Sequence, residues 1–366
     1  MVEEHGIIIT QSASNSGPFF SSIPEQYSKI SDEIFIIGSF FTSEIKDILP
    51  SGYNGGIADT INKYSSKGPF LSSGARGIDF VAPGEAITNL PKWYPNKNTD
   101  FNGTSLAAPN AAGSIACLLS ALKANGIAYS PAMIKMALAN TAFLPKNANK
   151  LEFGNGIIQI YDAFEFIKKS INFFPKNFIV PISVNNPKLE KGIIFVKSDE
   201  IQSKNYCVNI NPKFNTKWIL KCTDQSFVSH CKTVSSKNNS FNVKIDADLL
   251  KEGSINYAEI YGIDSLNPSI GPLFYLPITV ICPANSANEK IITTEPGTPF
   301  HYFIKKPSTV DSQKQCSIKI TAMDVKKESR ITILFRQGKC LTEKRFISFP
   351  VRVQEGYTSS LFPEYI

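Results

Sequence analysis

The segment of this chain best suited to chemistry is Asn102-Gly103-Thr104-Ser105-Leu106-Ala107-Ala108-Pro109, a glycine turn that delivers a serine to the start of a helix rich in small residues. Gly103 permits a close backbone approach. Ser105 at a helix amino end has unpaired backbone N–H groups and the positive end of the helix dipole beside its hydroxyl. That setting suits a nucleophile whose tetrahedral intermediate carries negative charge. Ala107 and Ala108 leave room for a buried helix, and Pro109 is tolerated in a first turn. The same octapeptide would also serve to cap an ordinary core helix. A second segment, Ser12-Ala13-Ser14-Asn15-Ser16-Gly17-Pro18, follows a run of buried-strand character, so the Asn15 amide lies where parallel-strand ends build sites. An amide N–H there would bind an oxyanion. Taken alone, Asn15 is first of all a turn residue, since Asn, Ser and Gly dominate turns.

The elements that must position these two segments alternate, from residue 6 to about 170, between short apolar runs and helical periodicity, which predicts an α/β domain with a parallel sheet. Gly6 to Ala13, Ile34 to Thr42 and Ile78 to Ala82 have buried-strand composition. Ser105 to Ala124 reads as a helix stopped by Asn125-Gly126. Ser130-Pro131 supplies an N-cap and a first-turn proline for a second helix running to about Thr141. Tyr161 to Lys169 is amphipathic and ends on a lysine pair. After Phe173-Phe174-Pro175 the texture changes to Val, Ile, Thr and aromatic runs broken by Asn, Pro, Gly and Ser. Strands are expected at Lys191 to Lys197, Tyr206 to Ile210, Ile255 to Tyr261, Leu273 to Val280, Ser317 to Thr321 and Arg330 to Arg336, closing as a sandwich. The expected domains are 1–170, α/β, and 171–366, β-rich.

Composition narrows the function classes. The chain has 366 residues, 42% of them hydrophobic and 19% charged, enough apolar surface for two folded cores. Net charge is +7, yet the lysines are scattered and the dense runs, Lys305-Lys306 and Lys326-Lys327, are two residues long, so no nucleic-acid surface is expected. The longest apolar runs, Ala111 to Leu122 and Pro272 to Ala284, fall short of the roughly 18 to 20 residues of a membrane span and are broken by Ser, Gly or Pro. No membrane partner is therefore expected. The opening MVEEHGIIIT has glutamates where an export signal places Lys or Arg. Seven widely spaced cysteines lack CxxC spacing or a histidine placed to complete a zinc site, which fits reduced thiols and a cytoplasmic location with no metal or cofactor.

Together the Asn15 and Ser105 segments resemble the oxyanion-asparagine and nucleophilic-serine motifs of subtilisin-like serine peptidases. The resemblance extends through HGIIITQSASNSGP, IGSF, YSSKGP (Tyr64 to Pro69), VAPGEAI (Val81 to Ile87), FNGTSLAAPNAAGSIACLLSALKANGIAYS and FGNGIIQIYDAF (Phe153 to Phe164). INYAEIYGID (Ile255 to Asp264) and GPLFYLPITVI (Gly271 to Ile281) are similar to the central β-region of a cytosolic exopeptidase branch of that family. The resemblance implies that Ser105 is the acyl-accepting nucleophile and that Asn15 and the Ser105 N–H form the oxyanion hole. It also implies peptide substrates with a free amino terminus, release of tripeptides, and a homo-oligomer. Ser14 stands where the family usually has Gly, and Leu106 where Met is common; Ser14 is expected to tighten the Asn15 loop. Ser65 to Pro69 are expected to support the site rather than react.

A serine needs a base, and in this family that base is a histidine oriented by an aspartate, both upstream of the oxyanion asparagine. Only fourteen residues precede Asn15, and none of His5, His230 and His301 has the family's context. His5 reads as a helix-end cation, and His230 and His301 as surface or strand residues of the β-rich part. The opening residues read as the last turn of a cut helix, and the expectation is a truncated chain that is inactive alone. The alternative is a non-catalytic assembly protein with a vestigial peptidase half. An unrelated α/β hydrolase fits less well, because Gly103-Thr104-Ser105-Leu106-Ala107 lacks the second glycine of a nucleophile elbow.

Overall fold

The seven residues Phe35–Phe41 are all buried, and that burial on both faces identifies the strand at the centre of the first sheet. The computed structural model describes residues 5–48, 59–87, 93, 100–173, 180–186, 191–197, 203–212, 214–284, 300–304, 318–321, 329–336, 346–353 and 358–361. Its first strands are β1 (Thr10–Ser12), β2 (Phe35–Phe41), β3 (Thr60–Ile61), β4 (Phe80–Pro83), β5 (Glu85–Ile87) and β6 (Asp100–Asn102). β2 pairs in parallel with β1 on one side and β4 on the other, β3 adds antiparallel at its carboxyl end, and β5 and β6 form a separate antiparallel pair. The expected parallel sheet is present, with β1 shorter than the apolar run from Gly6 to Ala13. His5 is helical and Gly6 has φ +65, a left-handed stop; the rest of the expected terminal turn, residues 1–4, lies outside the described residues.

The helices are α1 (Ser43–Ile48), α2 (Thr104–Ala124), α3 (Pro131–Thr141), α4 (Lys150–Phe153) and α5 (Ile160–Ser170). Ser130 caps α3 by accepting from Met133 N at 3.2 Å, as its sequence predicts. α2 has 21 residues and is long and apolar enough to cross a membrane by length and composition, which corrects the shorter run read from the sequence. It packs instead against the sheet: Ala107, Ala108, Ala111, Ile115, Leu118 and Leu122 are buried with Phe35, Ile37, Phe80 and Ala82. The sheet's other face buries Ile36, Val81 and Phe40 against Ile23, Phe70 and Phe153. Full burial of side chains of this size contributes about 1.5–3 kcal/mol each, so α2 is fixed by its packing.

The β-rich part begins with β7 (Ile182–Val184), β8 (Ile193–Val196), β9 (Ser203–Ile210), β10 (Trp218–Cys222), β11 (Val228–His230), β12 (Thr233–Val234), β13 (Ser240–Asp246), β14 (Ser254–Asp264) and β15 (Pro272–Cys282). They form two sheets, ordered β12-β10-β14-β15-β8 and β11-β13-β9-β7. One core joins them, with Trp218 against Phe274 at 5.3 Å between ring centroids and with Ile260, Ile278, Val243 and Ile245. Of these strands, β7, β10, β11, β12 and β13 lie outside those expected from the sequence. A separate unit contains β16 (Ile318–Thr321) paired with β19 (Thr358–Leu361), and β17 (Ser329–Arg336) paired with β18 (Phe346–Val353).

The sandwich is locked onto the α/β part by polar contacts. Glu259, in the middle of β14 and fully buried, receives Arg76 Nη1 at 2.8 Å, Lys150 Nζ at 2.6 Å and the Tyr257 hydroxyl at 2.5 Å. Arg76 also donates to Asn155 Oδ1 and to the carbonyl of Ile78. Gly74 and Gly192 meet backbone to backbone, where a Cβ on either would collide with the other. Lys191 Nζ reaches Asp32 at 2.8 Å and the Ser28 carbonyl at 3.0 Å, and Asn140 Nδ2 donates to the Ile270 carbonyl at 3.0 Å.

Burial would raise the Glu259 pKa, but the opposed charges of Arg76 and then Lys150 win and bring it from an ordinary 4.5 down to about 2. Its stabilisation is therefore complete above pH 4.5 and is lost as the pH falls towards 2. Glu259→Gln strands two cations and should destabilise the fold by about 3 kcal/mol at neutral pH. It should also flatten the acid limb of a plot of urea midpoint against pH; an unchanged acid limb would remove Glu259 from this role.

Candidate active site

Gly103 precedes α2 with φ +150 and ψ +155, a conformation closed to residues with a Cβ. Its N–H donates to the Gly84 carbonyl at 2.9 Å, which fixes the turn to the end of β4, and its own carbonyl accepts from Leu106 N at 3.0 Å. Thr104 is therefore the first helical residue and is wholly buried, while Ser105 follows it exposed at the helix tip. The Ser105 N–H lies in the first turn, where an α-helix offers no internal acceptor. The helix dipole adds positive potential at that place.

Asn15, exposed at the loop after β1, reaches this turn. Its Oδ1 accepts two hydrogen bonds from Thr104, from the backbone N at 2.9 Å and from Oγ1 at 2.9 Å. With the oxygen occupied, Nδ2 is held on the Gly103 side: a Cβ on Gly103 would stand 3.2 Å from Asn15 Nδ2 and 3.7 Å from Ser105 N. The structure thus brings together the two segments read from the sequence as a site. The residue that joins them, Thr104, received no role there; the available signal was a hydroxyl residue directly before the serine.

The Asn15 loop is seated on the Tyr64 to Pro69 stretch. Gly17 N donates to the Tyr64 carbonyl at 2.8 Å, Ser16 N to Ser66 Oγ at 3.1 Å, and Ser66 N to the Ser14 carbonyl at 3.0 Å. A Cβ on Gly17 would run into the Lys63 and Ser65 carbonyls. Ser14 has φ +81, so a residue with a side chain occupies a backbone conformation that favours glycine.

Among the described residues, none hydrogen-bonds the Ser105 hydroxyl, and no cluster of three His, Cys, Asp or Glu forms a metal site. His230 Nδ1 lies 2.6 Å from the Cys231 carbonyl in the sandwich. His301 corrects the sequence reading: it is half-buried against Phe20 of the α/β part, with 4.8 Å between ring centroids. Burial, helped by the Lys67 charge, lowers its pKa from 6.5 to about 4, so it is neutral at physiological pH.

Residues 1–156 match the subtilase family model, and residues 177–281 match the first Ig-like domain of tripeptidyl-peptidase II. The chain is 29% identical to tripeptidyl-peptidase 2 of Caenorhabditis elegans, covering 96% of this chain and 27% of that protein. It is 31% identical to tripeptidyl-peptidase 2 of Arabidopsis thaliana, covering 79% and 22%. The chain thus spans about a quarter of the length of the curated relatives it matches. A crystal structure of tripeptidyl peptidase 2 superposes with a TM-score of 0.61 at 21% identity, covering 98% of this chain and 31% of that one, a likeness of fold. The glycine turn, the serine at the helix tip and the asparagine loop all lie within the matched 1–156, so the chain carries a subtilase-like domain followed by an Ig-like β domain.

Proposed function

We propose that the chain supplies the nucleophile and oxyanion half of a serine peptidase. Ser105 Oγ attacks the scissile carbonyl, forming a C–O bond as its proton passes to a base, and collapse of the tetrahedral intermediate expels the amine and leaves an acyl-enzyme. Asn15 Nδ2 and the Ser105 N–H are the donors for the oxyanion. The observation that carries this reading is the pair of Thr104 hydrogen bonds to Asn15 Oδ1, because they commit the opposite end of the amide to donation beside the helix tip. Similarity to tripeptidyl-peptidase 2 supports a substrate with a free amino terminus and a tripeptide product.

The base is to come from residues other than the described histidines. A fluorophosphonate probe applied to the protein purified from its own cells should modify Ser105, identified by peptide mass spectrometry, and should stop release of tripeptides from a fluorogenic substrate. Probe on other serines with Ser105 untouched would favour a non-catalytic assembly role. The 366-residue protein by itself should turn the substrate over no faster than its Ser105→Ala variant.

In the active form, Asn15→Ala should lower kcat by about 10² to 10³, roughly 2.7–4 kcal/mol, the range known from the corresponding donor of subtilisin. Thr104→Val keeps the shape and the backbone bond but loses the hydroxyl donor, and should lower kcat about tenfold with KM little changed. A Thr104→Val enzyme with unaltered kcat would show that the amide needs no second anchor.

A further inference from the structure

Tyr64 touches both arms of the site without belonging to either. Its carbonyl accepts the Gly17 N–H at 2.8 Å and so seats the Asn15 loop. Its hydroxyl lies 3.2 Å from the Gly84 carbonyl, the same carbonyl that accepts the Gly103 N–H at 2.9 Å and fixes the Ser105 turn. The hydroxyl also lies 3.1 Å from Glu85 Oε1 and 2.9 Å from Ser39 Oγ. Ser39 Oγ in turn accepts from Asn62 Nδ2 at 2.8 Å.

The proton assignments follow from donor counting. Asn62 can only donate from its nitrogen, so Ser39 Oγ accepts from it and is free to donate to Tyr64, whose single proton is then shared by Gly84 O and Glu85 Oε1. A chain of donors thus runs from the interior of the sheet to the base of the nucleophile turn, each bond polarising the next. Burial first, and the Glu85 carboxylate with it, hold the Tyr64 hydroxyl protonated far above the ordinary tyrosine range, so the donor persists at any physiological pH. The space around this hub is closed. A Cβ on Gly84 would collide with Ser39 Oγ, which makes the approach of Gly84 to Tyr64 and Gly103 dependent on glycine. Ser39 and Asn62 are themselves buried.

We infer that Tyr64 is a positioning residue that locks the asparagine loop and the serine turn into one frame, its carbonyl holding the first and its hydroxyl, through Gly84, the second. This rests on the peptidase reading for its consequence in catalysis but not for the frame itself. A tyrosine with its ring alone would fill the same volume; the hydroxyl is what reaches the Gly84 carbonyl. The effect of its loss is therefore expected in the register of the two arms rather than in the core.

Hydrogen exchange read by mass spectrometry on the 366-residue protein separates the two cases. In Tyr64→Phe, which keeps the carbonyl bond to Gly17, the amide of Gly103 should exchange about tenfold faster, the loss of about one hydrogen bond's worth of local protection, while those of Gly17, β14 and β15 keep their rates. Ser39→Ala, which removes one partner of the hydroxyl and leaves the ring, should show the same pattern more weakly. Unchanged exchange at Gly103 in Tyr64→Phe, or equal acceleration through β14 and β15, would overturn the inference. In the active form, Tyr64→Phe should lower kcat and leave KM nearly unaltered. If the protein purified from its own cells proves to have no Ser105-dependent peptidase activity, the peptidase reading fails, whereas the exchange result on the 366-residue protein still decides the frame.

Discussion

The site depends on a single amide oxygen held by two donors of one residue. An asparagine at a loop tip would sample several rotamers, and its nitrogen would point at an oxyanion only part of the time. The Thr104 N–H and hydroxyl, both at 2.9 Å from Asn15 Oδ1, remove that freedom before any substrate arrives. Preorganised donors cost no rearrangement during reaction, which is where oxyanion stabilisation obtains its size. Thr104 is able to do this because it is the buried first residue of α2, with its N–H free of helical partners and its side chain turned from solvent.

That arrangement is a product of the parallel sheet. β1 and β4 flank β2, so the loop after β1 and the segment leading from β4 to α2 leave the sheet at the same end. α2 cannot drift, because its small residues let it settle on Phe35, Ile37, Phe80 and Ala82 with large side chains such as Leu118 filling what remains. The backbone bond from Gly103 N to the Gly84 carbonyl then ties the helix start to the strand end independently of the core. Packing fixes the direction of the helix, and this bond fixes its rotation and height.

Much of this was legible in the sequence, and the parts that were not have physical reasons. α3 announced itself through Ser130-Pro131, a local signal, and Gly103 through its place before a serine and a run of alanines. β13 carries Phe241, Val243 and Ile245 on one buried face, a period-two pattern that its polar alternates and the adjoining Asn238-Asn239 masked. Glu259 could not be read as buried, since a carboxylate within a strand signals a solvent face and its partners Arg76 and Lys150 are 183 and 109 positions away. Thr104 was hidden for a similar reason: its acceptor lies 89 positions off and does not depend on any pattern along the helix. Ser14 was marked as a departure from glycine by resemblance; φ +81 supplies the cause, a backbone that prefers no Cβ.

The buried ion cluster links the sandwich to the site through a short stretch of chain. Arg76 ends the loop that begins at Tyr64 and contains Ser65 and Ser66, and the Phe70 N–H to Ala75 carbonyl bond closes that loop on itself. One end of the loop is gripped by Glu259 of the sandwich, and the other carries the carbonyl and hydroxyl contacts beneath the Asn15 loop. Two cations and a carboxylate withdrawn from water gain little net stability, because desolvation offsets most of their attraction. They do impose a geometry, since removing any member leaves an uncompensated buried charge, and an apolar contact would tolerate sliding by a fraction of an ångström. The choice of ions at this seam therefore fits a surface whose register, more than its strength, is under constraint, and the loop that register controls is the one on which the Asn15 loop rests.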